Sequence, residues 1–366
     1  MKRGLIEWNK NVLPEGEFFL RIEKTKSLME NKKLDVIAIY GDAAQSANLS
    51  YPTHFFPYSD TGIFVLTSSG KVKLFTTHAY RNIPWFNTIT WIKDIVCTNN
   101  IGKDFTNYIH SLDLEHGRVG LVYTSLFPYP VYKNLKEKIG ASIHDMTREF
   151  EDMRIEKSET ELQFTEEAAK IAVESFKRLN EVFIPGKTGY ELAAEIELVS
   201  RKHKAQDLFF SLQSNNSDFV LTQPTSKSLN QTFSAEICVE YLGYWAKLGR
   251  TFFSNSLSNN YRKRNKKFLS RAKRISSKVL IGQTLREHAN NIRNHLSKMN
   301  GVKKVDVYLA PGLDPYWSSH PNDDIVMRKN MIYYTKIDLI FADNLRLTAT
   351  DTYTTQHKAP ILLTNY

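Results

Sequence analysis

Glu236-Ile-Cys-Val-Glu-Tyr-Leu-Gly-Tyr-Trp-Ala-Lys247-Leu-Gly-Arg250-Thr-Phe252 is the stretch that decides how this chain folds. Runs rich in β-branched and aromatic residues on either side of a short break read as a β-hairpin. The two-residue period of a strand puts Glu236, Cys238 and Glu240 on one face. A hairpin centred at Tyr241-Leu242 sets Glu236 opposite Lys247. An opposed charge pair of that kind contributes roughly 0.2–1 kcal/mol. If it is buried, its larger effect is that removing one partner strands the other charge.

Outward from the hairpin, the chain changes texture between Met146 and Arg154. Before that point, short apolar runs (Leu34–Tyr40, Gly62–Thr67, Val72–Thr76 and Gly117–Tyr123) alternate with helical periodicity over Phe18–Asn31 and Tyr129–Ile139. Such alternation predicts a layered α/β domain over residues 1–150. After it come three Ser/Thr-x-x-Glu segments, Ser158–Glu161, Thr188–Glu191 and Thr284–Glu287. Each is a capping box, in which side chains at the first and fourth positions satisfy each other's backbone N–H groups. Strand-like runs follow at Val302–Tyr308, Met331–Phe341 and Leu345–Thr355. Helices, hairpin, helices and further strands predict an α+β domain with antiparallel sheet over residues 151–366. Gly186-Lys187-Thr188 matches the end of a phosphate-binding loop, but Glu181 stands where that loop needs glycine, so it is a helix terminator and cap.

With these segments in order, the chain resembles the aminopeptidase P, prolidase and creatinase family over nearly its whole length. Arg21–Glu30 with Leu34-Asp-Val, Asn48-Leu-Ser-Tyr51, Arg154-x-x-Lys157-Ser-x-x-Glu161 and Pro185-Gly-Lys-Thr-Gly-Tyr-Glu-Leu192 are each similar to a family segment. The resemblance implies a creatinase-type N-terminal domain, often supporting a homodimer, and a C-terminal pita-bread domain. The latter is a pseudo-twofold, curved antiparallel sheet with helices around a two-metal pocket. In the family, the hairpin runs from one Asp to a second Asp eleven residues later and then to Arg-Thr-Phe. Here Glu236 and Lys247 stand at the two Asp positions, and Arg250 keeps its place. The ligand His falls on Pro311, in Ala310-Pro-Gly-Leu313. The two ligand Glu positions fall on Lys336 and Thr348. An ammonium has no lone pair to give a metal, so the resemblance implies the fold without its metal chemistry, and no cofactor is expected.

Three functions stay open. In the first, the pocket of Glu236, Lys247, Arg250, Pro311, Lys336 and Thr348 has drifted or been turned to binding a peptide, a protein or a small anionic ligand. In the second, the chain is a metal-free hydrolase of a small amide or amidine, as creatinase-type members are. Its polar groups are then Glu236, Glu240, Lys247 and His320, since the creatinase-type catalytic His falls on or beside Leu221. In the third, relocated ligands restore an Xaa-Pro peptidase.

Composition bounds these readings without choosing among them. The chain has 366 residues and a net charge of +10, with 42% hydrophobic residues, ordinary for a globular protein. No apolar run reaches the roughly 18 residues needed to span a membrane. Cys97 and Cys238 have no ligand-like spacing, and the first residues hold no apolar signal stretch, so a cytoplasmic protein is expected. The excess charge is densest in Arg262-Lys-Arg-Asn-Lys-Lys267 and continues through Arg271, Lys273 and Arg274 above a helical apolar stripe. That is the solvated face of an amphipathic helix. Without aromatic interleaving or a helix-turn-helix pattern it leaves nucleic-acid binding open and unsupported.

Overall fold

The computed structural model describes residues 7–112, 117–138, 142–214, 223–312, 325–356 and 359–366. The chain divides into two compact units, Lys2–Arg154 and Ile155–Tyr366. Among the described residues no helix is long and apolar enough to cross a membrane.

The first unit runs α1 (Glu15–Lys32), β1 (Val36–Asp42), α2 (Ala47–Thr53), β2 (Thr61–Thr67), β3 (Val72–Thr76), α3 (Ile83–Ile89), β4 (Ile95–Cys97), α4 (Ile101–His110), β5 (Arg118–Val122), α5 (Tyr129–Lys138), β6 (Ser142–Asp145) and α6 (Thr147–Met153). Its six-stranded sheet has the order β4-β3-β2-β1-β5-β6. Central β1 is buried on both faces. Ile37 and Ile39 meet Ile22 and Met29 of α1, while Val36 and Ala38 meet Phe105 and Ile109 of α4. Segments that marked the family resemblance converge here. Asn48 Nδ2 donates to Glu151 Oε1 at 3.1 Å, and Arg154 Nη1 donates to Asn48 Oδ1. Arg21 Nη1 donates to the Tyr51 carbonyl at 2.7 Å. Those motif residues hold the first unit together.

The second unit contains α7 (Glu159–Val182), α8 (Gly189–Lys202), β7 (Asp207–Ser214), β8 (Thr232–Tyr241), β9 (Tyr244–Phe253), α9 (Asn259–Ser276), α10 (Leu285–Leu296), β10 (Val302–Pro311), β11 (Ile332–Phe341), β12 (Arg346–Thr354) and β13 (Ile361–Leu362). All three capping boxes form, at the starts of α7, α8 and α10. The sheet order β10-β11-β12-β9-β8-β7, with β13 beside β12, places two helix–helix–three-strand halves back to back across the β9–β12 seam. This is the pseudo-twofold pita-bread arrangement that the sequence led us to expect. One sheet face is apolar and covered by helices. Ile237, Val239, Leu248 and Phe252 pack on Ile171, Phe176 and Leu179 of α7, and Val305, Ile337 and Leu347 pack with Phe268, Ile292 and Leu296 of α9 and α10. Each such side chain, fully buried, contributes roughly 1.5–3 kcal/mol.

The hairpin differs from expectation in one respect. Its turn is Leu242-Gly243, with φ of 51° and 85°, closed by the pair Tyr241↔Tyr244. Two successive positive φ angles make the turn type whose twist suits a two-residue hairpin loop. Centring the hairpin one residue later moves the register by two. Glu236 therefore faces Gly249 and Lys247 faces Cys238, and the expected direct opposition of Glu236 and Lys247 is not formed. Leu242 bears the left-handed conformation with a branched side chain, which asparagine tolerates better. Leu242→Asn should stabilise the protein by up to about 1 kcal/mol, read as a higher denaturant midpoint at unchanged slope.

Candidate functional site

The sheet face of the second unit that opposes the helices carries polar side chains in rows set by strand register. The central row runs Ser211–Glu236–Gly249–Thr350–Lys336–Tyr308 through β7, β8, β9, β12, β11 and β10. On one side of it lie Cys238, Lys247, Thr352 and Tyr334; on the other lie Ser234, Thr251, Thr348 and Asp338. Residues from six strands, spread over more than a hundred positions of sequence, thus share one surface.

Lys336 and Glu236 meet over the middle of that surface. Lys336 Nζ lies 3.2 Å from Glu236 Oε2, and Thr350 Oγ1 donates to the same oxygen at 2.7 Å. Gly249 makes the reach possible. A Cβ there would come within 2.7 Å of Thr350 Oγ1, so any larger residue would crowd the path between the two charges. Asp338 sits beside them and accepts from Thr348 Oγ1 at 2.6 Å. Burial pushes its carboxyl up to about 6, with Glu236 and Asp306 adding to the rise and the Lys336 charge and the Thr348 hydroxyl opposing it.

Lys247 is fully buried. Its ammonium lies 4.5 Å from the centre of the Tyr334 ring, within cation–π range. Its backbone is clamped by Thr352, whose hydroxyl accepts from Lys247 N at 2.7 Å and donates to Lys247 O at 2.9 Å. Tyr334 is fixed in turn by donating its hydroxyl to the Trp245 carbonyl at 2.9 Å.

Of the pocket residues expected from sequence, Glu236, Lys247, Lys336 and Thr348 come together on this face. Glu240 is on the same face but pairs with Trp245 at the turn end of the hairpin, one row beyond Lys247. Arg250 does not join them. Adjacent strand residues point to opposite faces, and Arg250 turns to the helix side, where Nη2 donates to Asp351 Oδ1 at 2.6 Å. Pro311 ends β10 opposite Tyr333, out of phase with the Ala310–Tyr334 pair of the polar face. His320 and Leu221 lie outside the described residues. Thr350, Thr352 and Tyr334 were not singled out from sequence. The alternation Thr348-Ala-Thr350-Asp-Thr352 was the available signal, a strand with one hydroxyl-bearing face.

Residues 163–347 match the family model of metallopeptidase family M24, and residues 21–155 match that of the creatinase/prolidase N-terminal domain. The chain belongs to metallopeptidase family M24. Solved structures agree in fold. The prolidase of Pyrococcus horikoshii OT3 superposes with a TM-score of 0.78 at 18% identity, over 94% of this chain and 98% of that one. The Xaa-Pro dipeptidase of Bacillus anthracis gives 0.77 at 17% identity, over 95% and 98%. The X-Pro aminopeptidase of Thermotoga maritima MSB8 gives 0.79 at 15% identity, over 94% and 97%. No curated protein matches the sequence.

Membership of M24 raises the question of a metal. At the positions that the resemblance assigns to ligands, the side chains are one carboxylate (Glu236), two ammonium groups (Lys247 and Lys336), a hydroxyl (Thr348) and a proline ring (Pro311). The one carboxylate is held by one of the ammonium groups. Among the described residues, no group of three or more His, Cys, Asp or Glu is arranged to hold a metal ion.

Two consequences are measurable. Lys336→Met removes the ammonium from a buried carboxylate and should destabilise the fold by about 3–5 kcal/mol, while Glu236→Gln/Lys336→Met should recover most of that loss. A denaturation cycle over the four proteins tests it; a loss in the double variant equal to the sum of the two single losses would show that the pair is uncoupled. The raised carboxyl of Asp338 means that the folded state holds its proton above the ordinary value of 3.8. Its contribution to stability is therefore present at low pH and falls as pH rises from about 4 to about 6. In Asp338→Asn this fall should vanish, seen as a wild-type-minus-variant unfolding free energy that declines over that window and is flat above it.

Proposed function

We propose that this M24 chain is a non-metal, non-peptidase member of its family, whose polar sheet face binds a peptide or a small anionic ligand. The observation that carries this reading is the Lys336 ammonium 3.2 Å from Glu236, in the central row of the face. Two divalent cations need several oxygen or imidazole donors around them. Here a protein cation already neutralises the surviving carboxylate, and a second, Lys247, is buried two residues along the same face. The donor set does not fit the metal pair, and no catalytic step is assigned to one. The positive charges of Lys336 and Lys247 in adjoining rows instead favour a carboxylate or similar anion, while the hydroxyls of Thr348, Thr350 and Thr352 already donate within the layer. No strand of this sheet contains a histidine, so the described part of the face offers no imidazole for metal-free acid–base catalysis.

The experiment pairs metal analysis with binding. Purified protein incubated with manganese or cobalt and desalted should retain far less than one equivalent and should not cleave Xaa-Pro dipeptides. Calorimetric titration with a prolyl dipeptide should give saturable binding that weakens at least tenfold in Lys247→Met. Stoichiometric metal with chelator-sensitive turnover would overturn the proposal, as would dipeptide binding that Lys247→Met leaves unchanged.

A further inference from the structure

The opposite, helix-covered side of the second unit's sheet holds a groove of about 440 Å³. That volume is within the range of small-molecule sites. One wall is α9, which presents Arg262, Lys266, Leu269 and Lys273 to it. These residues follow each other at the spacing of a single helix face and spread over about 16 Å along the axis. The floor is Arg250 with Asp351, from β9 and β12. The far wall includes Leu362 and the ring of Tyr366.

The electrostatics of the groove are one-sided. Four cationic side chains line it, against the single carboxylate of Asp351. That carboxylate is already engaged, accepting from Arg250 Nη2 at 2.6 Å and from Thr364 Oγ1 at 3.1 Å. Arg262 spends Nη2 on the carbonyls of Phe253 and Ser254, and Lys273 donates to Asn365 Oδ1 at 2.7 Å, a neutral partner. Lys266 has no ion pair or hydrogen-bond partner among the described residues. Arg250 is only 6% exposed, yet its Nε donor is buried without a partner, as is the Oδ1 acceptor of Asn265 in the same lining. Buried polar atoms left unmatched in a native fold are few and call for an explanation, a bound group among them. Apolar surface at Leu269, Leu362 and Tyr366 adjoins the cations, so the groove suits a molecule with both an anionic and a flat apolar part.

We propose that this groove is a binding site for an organic phosphate of the nucleotide class. Its phosphates lie along Arg262, Lys266 and Lys273, and its ring system rests against Leu269, Leu362 and Tyr366. The site is on the other face of the sheet from the Glu236–Lys336 pair and stands independently of the function proposed there.

The test titrates the full chain with ADP, adenosine, inorganic phosphate and a 20-nucleotide single-stranded DNA, by calorimetry at low and physiological salt. ADP should bind one-to-one, and adenosine and phosphate at least tenfold more weakly. Lys266→Gln/Lys273→Gln should weaken ADP at least tenfold. Lys263→Gln/Lys267→Gln, which removes the same charge from α9 outside the groove lining, should change it less than twofold. All four lysines are exposed, so circular dichroism melts of both variants should match the parent. Absence of ADP binding at millimolar concentration would overturn the proposal. So would equal weakening in the two variants, which marks long-range attraction alone. DNA binding tighter than ADP and equally sensitive to both lysine pairs would replace it with a general polyanion surface.

Discussion

The turn at Leu242-Gly243 governs which side chains meet across the second unit. It carries two positive φ angles and so closes β8 onto β9 with a two-residue loop. The meeting of Glu236, Lys247 and the β12 hydroxyls on the polar face follows from that pairing and from the β9–β12 seam. A slip of one residue would exchange the faces, sending Glu236 and Lys247 into the helix-packed core and Ile237 and Leu248 to the polar side. The alternation of strongly apolar and strongly polar residues along β8, β9 and β12 makes that exchange prohibitive. The same alternation explains why neighbours in sequence have unlike surroundings: Lys247 lies over Tyr334, while Arg250 is bound to Asp351 behind the sheet.

Given that register, the charges at the centre follow from the cost of burial. A carboxylate taken out of water without a partner is expensive, and it is either neutralised by a proton or matched by a cation. Both outcomes occur within a few residues. Glu236 has Lys336 at 3.2 Å. Asp338, one row away, is matched less fully, and burial dominates, raising its carboxyl to about 6. Thr348 and Thr350 supply one hydroxyl to each carboxylate. The face is thus an internally compensated polar layer, in which the hydroxyls of β12 serve acids on β11 and, across β9, on β8.

How much of this was legible in the sequence depends on the range of the interaction involved. Capping boxes are local, four residues long, and all three form where the sequence placed them. The order of motifs likewise gave the family, and in the structure Asn48, Tyr51 and Arg154 each take part in hydrogen bonds within the first unit. The hairpin was recognised but its centre was misplaced by one residue, because Leu at a positive φ gives no warning of itself. That small error turned a diagonal relation between Glu236 and Lys247 into an expected direct pair. The true partner of Glu236, Lys336, lies a hundred residues away, with two strands between them in the sheet. The β8–β9 hairpin and the β11–β12 hairpin each have local registers. The seam between them has none that can be read from sequence, so Lys336 could be named as a pocket residue but not as the partner of Glu236, and Thr350 was not named. Arg250 was assigned to the pocket because it keeps its place in the family's hairpin pattern, where the period of a strand sets it on the other face from Lys247.

The pseudo-twofold relation gives the asymmetry of the face its meaning. Antiparallel pairing of β9 with β12 creates a local dyad through Gly249 and Thr350. Rotation about it carries Lys247 onto Thr348 and Glu236 onto Lys336. A pair of metal ions on such an axis draws acidic or imidazole donors from both halves, so the two halves must carry the same sign. In this chain the halves have taken opposite characters. The acid of one half faces the ammonium of the other, and the remaining ammonium faces a hydroxyl position. Opposite signs across a dyad neutralise each other without any guest, which lowers the cost of burying the centre and removes the electrostatic demand for cations. Lys247 sets its positive charge against the face of the Tyr334 ring. A centre in which the charge of each half is answered by the other differs in kind from a set of clustered carboxylates, which attract cations.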